Sequence, residues 1–182
     1  MKISLLEKRE DFYAILQKTL QNSDLFQEFK SNKRKKYLIN KHLNFISQKS
    51  LSSGAFRNLK NEYSNSLVWW RKYFQRLYVN LAISKPLRGV FAQKTLEMPD
   101  YGPCLILGGN HRLRLFTEDL KSTWLVLKSG ERISYIENDI KVRKNFNLSY
   151  IPSIVNYGNR WLEEEFFEGI PLNRLPDANE IV

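Results

Sequence analysis

A single cysteine, Cys104, stands among 182 residues. No internal disulfide can form, the fold has to be held by its core, and a cytoplasmic setting is the default. Histidine is almost as scarce: His42 and His111 lie far apart, and with one cysteine they make no metal-ligand cluster. No apolar run approaches the roughly 18 residues needed to span a bilayer. The opening MKISLLEKREDF meets charged residues too soon for a secretory signal. Proline is absent before Pro86, so nothing of that kind breaks a helix in the first half. Acidic residues are short there too. Residues 1–85 hold 6 Asp/Glu against 17 Lys/Arg, whereas residues 86–182 hold 13 against 12. The whole excess behind the +10 net charge therefore sits in the first half. A change of hydropathy pattern falls at the same place, which predicts two units, 1–85 and 86–182.

With 42% hydrophobic and 26% charged residues, the chain has what a folded core needs, and disorder over most of it is excluded. From Leu5 to about Gln48 the spacing predicts helix. Leu5, Leu6, Phe12, Ile15, Leu16 and Leu20 recur at three- and four-residue steps. Asn22-Ser23-Asp24 reads as a break and a cap for a helix carrying Leu25, Phe26 and Phe29. The basic run Lys33 to Lys36 continues to Lys41, beside a stripe of Tyr37, Leu38, His42, Leu43 and Ile46. A second helical block is predicted over 55–83. In it Trp70, Tyr73, Phe74, Leu77 and Leu81 share one face, while Arg71, Lys72, Gln75 and Arg76 lie elsewhere. Pro86 ends this block, and residues 86–103 read as a connector or edge strand.

Residues 104–175 carry a different pattern. CLILGGNHRLRLF predicts a strand, a glycine turn and a second strand; STWLVLK predicts a third strand ending in Lys128. A helix with Glu137 follows over about 131–145, then two strands through IPSIVNYG and WLEEEFFEG. These residue types suit a nucleoside triphosphate. Gly108 and Gly109 let backbone approach phosphates, since glycine has no Cβ. Lys128 closes an apolar strand that fixes its ammonium, and Glu137 on the next helix can pair with it where α- and β-phosphates sit. Glu165 to Gly169 give an extended segment whose backbone groups suit an adenine edge.

This order resembles the N-terminal lobe of the protein-kinase-like phosphotransferases, closest to the aminoglycoside phosphotransferase type, over roughly residues 100–175. The resemblance implies that Gly108, Gly109 and Asn110 form the phosphate loop. It makes Lys128 the phosphate-binding lysine with Glu137 as its partner, and Glu165, Phe166 and Phe167 the adenine-reading hinge. ATP and Mg2+ are the implied cofactors. Such enzymes carry a catalytic Asp, a metal-binding Asn and a second metal-binding Asp beyond the hinge, whereas the only Asp after Gly169 here is Asp177. The resemblance thus implies that catalysis requires a C-terminal lobe or a partner subunit, and that these 182 residues alone are not catalytic.

Two expectations follow. The fold is α+β, a basic helical region followed by a five-stranded antiparallel sheet with one main helix. The function is ATP binding by a kinase-like lobe, for an acceptor the sequence does not name. The alternative is a non-catalytic binding module whose basic, aromatic-interleaved residues 30–80 engage nucleic acid or an anionic membrane surface. In that alternative a cytoplasmic protein is also membrane-peripheral.

Overall fold

The computed structural model describes residues 14, 16, 18–19, 33–52, 56, 68–100, 102, 104–109, 111–117, 119, 121–146 and 151–166. Among them are eight strands and three helices. The strands are β1 (Arg34–Asn40), β2 (Phe45–Gln48), β3 (Lys94–Pro99), β4 (Leu105–Gly108), β5 (Arg112–Phe116), β6 (Ser122–Leu127), β7 (Ile154–Tyr157) and β8 (Trp161–Glu165). The helices are α1 (Trp69–Ile83), α2 (Arg88–Phe91) and α3 (Ser134–Asn145). All strand pairs are antiparallel, and the sheet order is β3-β1-β2-β4-β5-β6-β8-β7. The α+β class and the antiparallel sheet stand; the five strands expected become eight.

The difference begins at residues 34–48, expected as helix and found as the hairpin β1–β2. Tyr37, Leu38, Ile39 and Asn40 are all buried, because both faces of this strand are covered. A strand buried on both faces reads as an unbroken apolar run and loses the alternation that would identify it. Its reversal also lacks glycine and proline. Asn44 takes φ 50, a left-handed conformation that asparagine tolerates. Asn40 Oδ1 accepts the Leu43 N–H at 2.9 Å. The residues expected as two units share this sheet, since β1 pairs with β3 and β2 with β4 across the 85/86 boundary.

Register accounts for the core. Ile39, Ile46, Ile106, Leu115 and Trp124 stand directly opposite one another across β1, β2, β4, β5 and β6, so one face carries a continuous apolar row. Leu16, in helical conformation, is fully buried against this face. Phe45, Leu105 and Phe116 project from the other face and pack with Val79, Ala82 and Ile83 of α1. Cys104 is buried in the same cluster.

α3 is tied to the sheet by charge rather than by apolar area, since only Ile136 of it is buried. Arg143 reaches Glu164 on β8 at 2.6 Å and Asp139, four residues back, at 2.8 Å. Asp139 also pairs with Arg112 on β5. Burial disfavours the charge on Arg143, but Glu164 and Asp139 together outweigh it and hold its pKa above the ordinary guanidinium value.

Close packing also marks the turn between β7 and β8. A Cβ on Gly158 would stand 2.3 Å from Trp161 Nε1. Gly158→Ala therefore displaces the indole, with an expected loss of about 1–3 kcal/mol. Urea denaturation measures it; an unchanged midpoint would show that Trp161 moves without cost.

Candidate functional site

The β4–β5 turn and the end of β6 meet at one end of the sheet. Gly109 N–H donates to Arg112 O at 2.9 Å, closing the turn, and Gly108 N–H donates to Asn44 O at 3.1 Å. Asn44 Nδ2 returns a bond to Gly108 O at 2.8 Å. Both glycine amides are thus committed to backbone carbonyls. A Cβ on Gly109 would lie 2.8 Å from Arg112 O, so the position needs glycine for the hairpin itself. Gly109→Ala is expected to cost about 1–3 kcal/mol, read as a lowered thermal midpoint. Asn110 lies outside the described residues.

Lys128 continues the β5–β6 ladder, its N–H donating to His111 O at 3.0 Å. Burial lowers the Lys128 pKa from its ordinary value, and the Glu131 carboxylate acts in the opposite sense. Glu131 Oε2 also lies 3.1 Å from His111 Nδ1, and the imidazole stacks on Tyr135 with centroids 4.7 Å apart. Arg160 donates to Lys128 O at 2.8 Å and Glu131 O at 3.1 Å. No carboxylate pairs with Arg160 among the described residues. The structure therefore gathers Gly108, Gly109 and Lys128 with His111, Glu131 and Arg160.

Glu137 is not in this group. It is exposed and borders a shallow cavity with Lys141, Tyr157 and Asn159. No ion pair joins it to Lys128 among the described residues. Tyr135 and Asp139 turn to β5 through His111 and Arg112, and at about 100° per residue Glu137 lies on the far side of α3.

The hinge-like segment lies at the other end of β6. Glu165 stands opposite Ser122, six residues or about 20 Å from Lys128 at strand spacing. Glu165 N–H donates to Ser153 O at 3.1 Å, and Phe166 N–H to Lys121 O at 3.0 Å. The Phe166 ring meets Phe116 edge-on at 5.8 Å, a core contact. Phe167 lies outside the described residues.

Sequence reasoning missed the Arg112–Asp139–Arg143–Glu164 chain. The four-residue spacing of Asp139 and Arg143 was a visible signal; the partners on β5 and β8 depend on register. Among the described residues no cluster of His, Cys, Asp and Glu could hold a metal. Compared with family models, with curated proteins and with solved structures, the chain matches none.

Proposed function

We propose that β4 to β8 with α3 form the nucleotide-binding lobe of a kinase-like phosphotransferase, taking the phosphates of ATP with Mg2+ beside Lys128. The observation that carries this reading is the meeting of the glycine turn with a strand-borne lysine, joined by the Lys128 N–H to His111 O bond of 3.0 Å. It is supported by five consecutive strands that lie side by side, with one helix connecting β6 to β7. That is the order on which the resemblance rests.

The geometry modifies the roles. With the Gly108 and Gly109 amides already bonded, phosphate recognition falls to cations, Lys128 foremost and Arg160 beside it. Glu131 replaces Glu137 as the carboxylate acting on Lys128. The 165–167 segment reads the adenine edge only for a nucleotide laid along β6. Mg2+ would enter with the nucleotide and offset its phosphate charge, since no His, Cys, Asp and Glu cluster among the described residues would hold it. Phosphoryl transfer needs an acid–base Asp and metal-binding groups, which the resemblance places in a C-terminal lobe beyond the hinge.

Thermal unfolding with and without Mg·ATP tests this, on wild type and Lys128→Met, which keeps the apolar stem. At a hundredfold excess over the dissociation constant, ligand binding adds about 2.7 kcal/mol. A rise in midpoint for wild type, absent from the variant, is expected. An unmoved wild type overturns the nucleotide reading; an equal rise in both removes Lys128 from it.

A further inference from the structure

The residues from Val68 to Leu77 are all exposed, and the buried residues of α1 lie beyond them, Val79, Ala82 and Ile83; Trp70 and Phe74 edge a groove whose other wall is His42 and Leu43. At about 100° per residue, those three share one side of the helix. Trp69, Trp70, Tyr73, Phe74 and Leu77 fall in a continuous arc of about 140° centred on the opposite side. The aromatic arc is therefore not the face that docks α1 on the sheet. It points outward, with Trp69 80% exposed, Tyr73 63% and Phe74 60%. Single apolar residues on a surface are ordinary, but five large ones in one arc mark a contact surface.

Charge identifies what that surface meets. The remaining arc of this segment holds Arg71, Lys72, Gln75 and Arg76, and no acidic residue occurs between Glu62 and Glu97. Arg76 and Arg71 border the aromatic arc on its two sides, and the Arg71 guanidinium lies 5.1 Å from the Trp70 ring centroid. Cations flanking an arc of Trp, Tyr, Phe and Leu suit a helix lying in an interface, with rings at the headgroup boundary and long basic side chains reaching phosphates. A single-stranded nucleic acid fits less well. The rings meet one another edge-on, Trp70 with Phe74 at 6.4 Å and Tyr73 with Phe74 at 5.8 Å, and Leu77 offers bases nothing to stack on. Nor does the helix cross a bilayer, since no helix among the described residues is long and apolar enough.

We propose that α1 is an interfacial anchor that seats Trp69, Trp70, Tyr73, Phe74 and Leu77 in the headgroup region of an anionic bilayer, with Arg71 and Arg76 on lipid phosphates. This does not depend on the nucleotide reading. Flotation of the full chain with phosphatidylcholine vesicles, with and without phosphatidylserine, tests it. Wild type is expected to float with the anionic vesicles and to be released by salt. Trp69→Ser/Tyr73→Ser should abolish flotation without lowering the thermal midpoint, because these two side chains stand clear of the core. Arg71→Gln/Arg76→Gln should weaken it about 25-fold, at about fivefold per cation near an anionic surface. A wild type that stays with the unbound fraction overturns the proposal, as does a serine variant that floats equally well. Two further results also overturn it: binding to a single-stranded oligonucleotide in place of vesicles, or a dimer in light scattering that the serine variant dissolves.

Discussion

Arg143→Ala is expected to remove about 3–5 kcal/mol of stability, the loss that follows when one member of a buried ion pair is taken away and its partner keeps its charge. Glu164 is the stranded partner, only 4% exposed. Its bond to Arg143 is 2.6 Å, and no other cation pairs with it among the described residues. Asp139 loses one of its two arginines and retains Arg112. Because α3 buries little besides Ile136, the helix has small apolar means of staying in place. The loss should therefore appear as early exchange of α3 amides as well as a lower urea midpoint. Arg143→Met combined with Glu164→Met should recover most of the stability, since an apolar pair leaves no buried charge. If the single variant unfolds at the wild-type midpoint, the charge chain is not what holds α3.

Arg88→Ala is expected to cost at least about 3 kcal/mol, because the buried carbonyls of Ile83 and Leu51 lose a charged donor and that of Gln48 is left with the Leu51 N–H. Arg88 is 2% exposed. Its guanidinium donates to Ile83 O at 3.2 and 2.8 Å, to Leu51 O at 2.8 Å and to Gln48 O at 3.4 Å. It also lies 4.4 Å from the Phe56 ring centroid. Ile83 O is a carbonyl at the end of α1 that the helix cannot itself satisfy. One side chain thus joins the end of α1, the end of β2 and the loop after it. Burial pulls the Arg88 pKa below its ordinary value. Arg88→Lys should restore less than half of the loss, because an ammonium is a point donor and cannot reproduce the planar fork. Full recovery with lysine in urea denaturation would refute the fork.

The second half of the chain was readable because its segments obey local rules. Apolar alternation, a glycine turn and a polar-faced helix gave β4 to β6, α3, β7 and β8 near their observed positions. The first half hid β1 and β2. Residues 37–40 are buried on both faces, and their turn is made by Asn40 and Asn44 rather than glycine or proline. The basic run beside them looked like a helix face, yet Lys35 ends beside Asp100 at 2.8 Å on the strand side. Of the candidate site, the glycine turn and Lys128 come together because sequence neighbours in a hairpin must. Glu137 does not join them because it lies on the side of α3 away from β5, and Glu165 does not because the length of β6 separates it; neither follows from residue types alone.

Among the described residues β3 and β7 are the outer strands of the sheet, and each bears on self-association. At one, β3 carries Lys94 and Glu97 and ends at Pro99, so a docking strand meets charge and, at the end, a missing amide donor. At the other, β7 has only four residues and its pairing with β8 slips between Ile154 and Asn156. A short, irregular margin presents a poor template to another chain, even with Val155 58% exposed. The two ends of the sheet are thereby protected against fibril-like stacking by different means, one chemical and one geometric.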